Sequence, residues 1–243
     1  MRSLSASELI EAWDGPEAET SHARLERVLG VVLDAAELRR DTLGRRNQRL
    51  IALRRSLCGP RPVEVAARCQ CGIDNEATVP VDAIEAAPVP APDQRTAVAI
   101  GGRTVSARPP VMEDLMAIAG FRDLGQAAAA LLARCVDAAN DDDLAEPGPL
   151  VAALAERFEA MDPAADVRLS IRCVGCGTPL SVVVDLAASV SRDIAHQVAA
   201  LMAEIDCLAR AYGWSEAAIL ALPPGRRRRY VAMVQGETLG GIG

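Results

Sequence analysis

Two short cysteine turns, Cys69-Gln70-Cys71-Gly72 and Cys173-Val174-Gly175-Cys176-Gly177, lie about a hundred residues apart and constrain this chain more than any other feature. Each follows alternating apolar residues: Val63, Val65 and Ala67 before the first, and Val167, Leu169 and Ile171 before the second. Alternation of period two predicts a strand with one buried face. A return strand is expected after each turn, over Thr78 to Val81 and Val182 to Val184, leading to Asp82 or Asp185. Set side by side, VEVAARCQCG and VRLSIRCVGCG form a short internal repeat, which predicts two β-hairpins tipped with thiols.

Zinc takes four tetrahedral thiolates at about 2.3 Å, and two hairpin turns that each offer two can surround it without a large preformed core. Cys69, Cys71, Cys173 and Cys176 are therefore the predicted ligands of one structural zinc ion. The second turn has the common C-x-x-C-G spacing, whereas the first, C-x-C-G, is one residue shorter and must be tighter. Gly72 and Gly177 follow the second cysteine of each turn, and there backbone amides are expected to point at sulfur where no Cβ obstructs them. Full thiolate ligation leaves no open position for water, so the expected role is structural rather than catalytic. By closing a long loop, the metal should contribute folding free energy. The other three of the seven cysteines, Cys58, Cys135 and Cys207, fall in helical segments and read as small buried hydrophobes, with Cys58 the substitute ligand to test.

Around these turns the pattern is helical. Ser5 or Ser7 can cap a helix through Trp13, and Leu25, Val28, Leu29, Val32 and Leu33 share a helical stripe. Thr42 reads as an N-cap for a helix carrying Leu43, Leu50, Leu53 and Leu57, with the intervening arginines as its solvated face and Gly59, Pro60 and Pro62 as its stop. Pro88, Pro90 and Pro92 suggest a stiff connector, and Gly101-Gly102 a two-residue hairpin with Val98 facing Val105. Further helices are expected over Val111 to Ala119, Leu124 to Val136 and Val151 to Met161, around an acidic linker from Asp137 to Pro149. The longest amphipathic helix runs from Leu186 to Tyr212, with Gly213 as its C-cap. The reading is an α+β fold, predominantly helical, with a zinc-ribbon-like β module and a C-terminal helical region. Its segments are 1–62 (helical), 63–110 (first knuckle and hairpins), 111–161 (middle helices with the linker at 137–149), 162–185 (second knuckle) and 186–243 (C-terminal helices and a flexible Gly-rich tail).

Several function classes fail on composition. All basic residues are Arg, which excludes a P-loop lysine, and a formal charge of −7 disfavours broad phosphate neutralisation. His22 and His196 are the only imidazoles and sit in no catalytic motif. Gly213-Trp214-Ser215-Glu216-Ala217 has no preceding strand and ends in Ala, so Ser215 reads as an N-cap rather than a nucleophile. The N-terminus lacks a long apolar region, and no run could span hydrocarbon, so the expected location is cytoplasmic with no membrane partner. In a reducing compartment, clustered cysteines suggest metal before disulfides.

At Ala211-Tyr212-Gly213-Trp214-Ser215-Glu216-Ala217-Ala218-Ile219-Leu220, followed by Arg226 to Tyr230, the sequence resembles the baseplate hub assembly proteins of T-even-type contractile phage tails, which also accompany phage-tail-like contractile injection systems. Glu8-Leu9-Ile10-Glu11-Ala12-Trp13, Leu43-Gly44-Arg45-Arg46-Asn47 and the two knuckles extend the likeness over most of the chain, although the first knuckle is shorter than the family's C-x-x-C. The resemblance implies a non-enzymatic factor or chaperone whose partner is a hub or spike protein. Scarce aromatics carry information, so Tyr212, Trp214 and Tyr230, with Arg226 and Arg227, are the expected docking residues, set against a staple role for Trp214 and a core role for Trp13. Two other readings make the knuckles and Arg226 to Arg229 a nucleic-acid binder, or Cys173 and Cys176 a redox sensor.

Overall fold

The computed structural model describes residues 2–16, 20–137 and 145–236. The structure is α+β and predominantly helical, with three separate two-stranded antiparallel sheets among the described residues. The N-terminal helices begin where side-chain oxygens can satisfy free backbone amides. Ser5 and Glu8 form a reciprocal capping box on α1 (Ala6–Trp13), Thr20 caps α2 (Ser21–Val32) and Asp34 caps the short α3 (Ala35–Arg39). Thr42 caps α4 (Leu43–Cys58), which ends at Gly59 with φ 82°.

The first hairpin pairs β1 (Val63–Arg68) with β2 (Asp74–Val79), from Val63 opposite Val79 to Arg68 opposite Asp74. The return strand therefore begins four residues earlier than the expected Thr78 and stops at Val79. Pro80 ends it and Val81 instead opens a short helix, α5 (Val81–Glu85), which the sequence reading missed. Then come β3 (Thr96–Ile100) and β4 (Arg103–Ala107), with Val98 opposite Val105 as expected, and the helices α6 (Met112–Ile118), α7 (Leu124–Cys135) and α8 (Gly148–Met161). Most of the expected acidic linker, and nearly all of the Gly-rich tail, lie outside the described residues.

The second hairpin joins β5 (Arg168–Arg172) to β6 (Pro179–Val183). Asp185 then caps the long α9 (Leu186–Tyr212), and Gly213, at φ 66°, closes it in the left-handed conformation. α10 (Glu216–Leu220) and α11 (Pro224–Val234) complete the chain. Each thiol hairpin is thus followed by a helix, so the repeat is a hairpin–helix unit.

Two apolar clusters result. The larger joins α1, α2, α4 and α9, and it also takes Val63 and Val79 from the first hairpin and Val184 after the second. Its centre is fully buried Leu25, Leu29, Leu50, Ile51, Ile194 and Leu208. Trp13 belongs to this core, with the Arg24 guanidinium 5.1 Å from its ring centroid. The smaller cluster is Val98, Val105, Ala107, Leu132, Val136, Leu150 and Leu154, so β3 and β4 pack with the middle helices rather than with the first knuckle.

The arginines of α4 correct the expectation of a solvated face. Arg46 and Arg54 are buried. Arg46 donates to Glu26 of α2 at 2.6 Å. Arg54 donates to Asp193 of α9 at 2.5 Å, and also to the carbonyls of Arg61 and Pro62. α4 lies between two helices that each supply a carboxylate, and the planar guanidinium can satisfy several acceptors once desolvated.

Candidate metal centre

The two hairpins meet tip to tip. Sγ of Cys69 lies 3.6 Å from Sγ of Cys176, and Sγ of Cys71 lies 3.6 Å from Sγ of Cys173. All four sulfurs fall within 4.8 Å of one another. A disulfide would need sulfurs about 2.05 Å apart. Tetrahedral ligation at about 2.3 Å would place them about 3.8 Å apart, close to what is observed. The donor set and its spacing therefore fit a metal ion held by four thiolates. Cys58 is not part of the group, and its thiol faces the Asp193 carbonyl.

The shortened first turn is absorbed within its loop. In the first hairpin Cys69 N donates to Ile73 O and Gly72 N to Cys69 O, both at 2.9 Å. The second closes one residue later, with Cys173 N donating to Thr178 O and Gly177 N to Cys173 O, again at 2.9 Å. The amides of Gly72 and Gly177 themselves bind carbonyls, and the amides that point at sulfur, as expected of these turns, are those of the residues that follow them. The positive φ values of the two glycines, 90° and 75°, turn that next amide inward, so that Ile73 N–H faces Cys71 and Thr178 N–H faces Cys176.

In each hairpin the first cysteine is buried and the second exposed. Amides of Cys176 and Gly175 donate to Cys173 and hold its thiol down at about 6. The Thr178 hydroxyl and amide likewise lower Cys176. The Ile73 amide also favours ionisation of Cys71, but the three neighbouring sulfurs outweigh it and push that thiol up to about 12. Four sulfurs in contact cannot all carry charge by themselves, and a dication among them removes the conflict.

Asn75, 2% exposed, joins the hairpins and was not singled out from the sequence. Its Nδ2 donates to Cys173 Sγ at 3.7 Å and to Ile73 O at 3.0 Å, and its Oδ1 accepts from Val174 N at 2.9 Å. The available signal was an Asn at the start of a return strand, where that residue is disfavoured unless its amide has work. Gly175 allows the close approach, since a Cβ there would lie 2.8 Å from Ile73 Cγ1.

α4 holds both hairpins from behind. Gly44 N donates to Asp162 at 2.9 Å and Asn47 Nδ2 to Ala164 O at 2.8 Å, fixing the segment that enters the second hairpin. Gln48 Nε2 donates to the carbonyls of Ile84, Glu85 and Ala87, fixing the segment that leaves the first.

At the other end of α9, Tyr212 stacks on Trp214 with centroids 4.7 Å apart, and Tyr230 stands edge-on to both, at 6.0 and 5.1 Å. Tyr212 is exposed while Trp214 and Tyr230 are half-buried. Ser215 caps α10 by accepting from Ala218 N, as expected. Arg226 is exposed, but Arg227 is buried and donates to Glu204 of α9 at 2.5 Å, which corrects its placement as a docking residue. His22 and His196 are exposed. No helix among the described residues is long and apolar enough to cross a membrane. Scanned against protein-family models, and searched against curated proteins and solved structures, the chain matches none.

Proposed function

We propose that this chain is a non-enzymatic assembly factor for the baseplate hub of a contractile phage tail or a phage-tail-like injection system, clasped by one structural zinc ion in a zinc-ribbon-like module. The observation that carries the zinc reading is the convergence of Cys69, Cys71, Cys173 and Cys176 at tetrahedral spacing. Zinc suits an all-thiolate tetrahedral donor set, and saturation by sulfur gives the ion a folding role instead of a chemical one.

The assembly reading rests on the resemblance, and two of its segments do identifiable work in the fold. Gly44 and Asn47 of the α4 motif hold the second hairpin, and Tyr212, Trp214 and Tyr230 form one aromatic cluster. Three rings beside exposed Arg226, Arg228 and Arg229 make a surface suited to a hub or spike protein presenting apolar and acidic groups. With Arg227 committed to Glu204, the basic run loses one of its four charges, which further disfavours nucleic acid as the partner.

Deleting the gene and imaging the particles tests this reading. Particles lacking a hub, or failing to assemble a baseplate, are expected; normal intact particles would refute it.

A further inference from the structure

The geometry points to Cys71 and Cys176 as sites of oxidation by hydroperoxides, each resolved by the buried thiol of the opposite hairpin, so that two cross-hairpin disulfides, Cys71–Cys173 and Cys69–Cys176, replace the metal as the clasp. The inference rests on the four-thiolate reading and on nothing else in the proposed function.

Three features of the cluster carry it. Both S···S contacts of 3.6 Å run between the hairpins and pair a first cysteine with a second. Every such pair contains one exposed sulfur, Cys71 or Cys176, and one buried sulfur, Cys173 or Cys69. A small oxidant therefore has an accessible entry atom in each pair and a sheltered thiolate beside it, the arrangement in which a sulfenic acid is captured before it oxidises further. Finally, the hairpins are joined by a group that the metal does not supply, namely the Asn75 side chain of β2, which accepts from Val174 N, while the missing Cβ of Gly175 leaves room for Ile73. That hydrogen bond keeps cross-hairpin partners together while the ion leaves.

The chemistry balances with one hydroperoxide per disulfide. The exposed thiolate attacks the peroxide oxygen, the O–O bond breaks, and sulfenic acid and hydroxide (or the corresponding alkoxide) form. The buried thiolate then attacks the sulfenic sulfur, the S–O bond breaks, and hydroxide leaves as the S–S bond closes. Each sulfur pair is oxidised by two electrons and each peroxide reduced by two. When both pairs have reacted no thiolate remains, and the metal is released as the free dication. Cys69 and Cys71, separated by one residue, would have to form a strained ring to pair with each other, whereas Cys173–Cys176 is the serious competitor.

The test is titration of the zinc-loaded full chain with hydrogen peroxide, following released zinc with a chromogenic chelator and mapping disulfides by non-reducing peptide mass spectrometry. Zinc should leave in step with the appearance of Cys69–Cys176 and Cys71–Cys173 linked peptides, and thiol reductant with added zinc should restore the starting state. Cys173–Cys176 or Cys69–Cys71 as the main product would overturn the inference, as would sulfinic acids without disulfides. A Cys176→Ser chain should still give Cys71–Cys173 and leave Cys69 as a thiol; a Cys69–Cys71 product would count against the pairing. If the purified chain takes up no zinc, the metal reading itself fails, a different outcome from zinc release with the wrong disulfides.

Discussion

Substituting Gly44 by Ala should destabilise this chain, although Gly→Ala within a helix ordinarily stabilises by up to about 1 kcal/mol. Gly44 is the second residue of α4, and a Cβ there would lie 1.8 Å from Asp162 Oδ1 and 2.6 Å from its Cγ. Asp162 is 3% exposed, its carboxyl is pushed up by burial, and it accepts from the Gly44 amide at 2.9 Å. The methyl group must drive the carboxylate away. That forfeits a hydrogen bond to a charged group, about 1.5–3 kcal/mol, and leaves a buried acceptor short of partners, a further ~1–3 kcal/mol. Allowing for partial relaxation and the helix-propensity gain, the net loss should be about 2–4 kcal/mol. Gly30, inside α2, is the internal control, because nothing lies within 4 Å of its Cβ position. Urea unfolding at fixed zinc concentration should therefore give opposite signs for Gly44→Ala and Gly30→Ala. In an Asp162→Ala background the Gly44→Ala cost should largely vanish, since the clash has lost its partner. Equal stabilisation by both alanines, or an undiminished Gly44→Ala cost without Asp162, would refute the reasoning.

Other predictions follow from single contacts. Asn75→Ala removes the amide linking Cys173 Sγ, Ile73 O and Val174 N, and zinc affinity measured by chelator competition should fall about 10–100-fold. Arg227→Ala leaves Glu204 without its buried partner and should cost about 1–3 kcal/mol, whereas exposed Arg226→Ala should cost less than about 0.5 kcal/mol, by thermal or urea unfolding. Burial pushes the Asp114 carboxyl upward, but hydrogen bonds from Arg108, the Val111 amide and Arg134 prevail and hold it below the usual carboxylate range. Its contribution is thus present above the unfolded value near ~3.9 and lost as pH falls through the lower folded value. Amide exchange in α6 and α7 should accelerate over that acid window in the native chain, and Asp114→Asn should flatten this dependence.

Local signals were legible in the sequence wherever one residue decides the backbone. Thr42, Ser215 and Asp185 have short oxygen-bearing side chains that reach amides two or three residues on, and Thr42 and Ser215 were recognisable as caps for that reason. Gly213 tolerates the left-handed geometry that ends α9. The hairpins were readable from alternation, and their convergence from the repeated cysteines. What escaped depends on partners distant in the chain. Arg46 and Arg54 each lie four residues from Leu50 and so share its buried face of α4, but their charge reads as solvated until α9 brings Asp193 and α2 brings Glu26. Arg227 is read as part of a basic run until α11 turns it against Glu204 of α9. Asn75 escaped because its hydrogen-bond partners lie on both hairpins, about a hundred residues apart, with Ile73 O and Cys173 Sγ accepting from its amide and Val174 N donating to it. The short α5 was hidden because Val81 continues the apolar alternation, and Pro80, which ends the strand, was read as part of it.

Metal content of the purified full chain, followed by replacement of the ion with cobalt(II), tests the clasp most directly. The account predicts one zinc per chain, and for the cobalt form the intense thiolate-to-metal charge-transfer and tetrahedral d–d absorption of a four-sulfur site, with removal of the metal lowering the melting temperature. A chain that binds no zinc, or whose cobalt spectrum and melting are unchanged by Cys173→Ser, would contradict it.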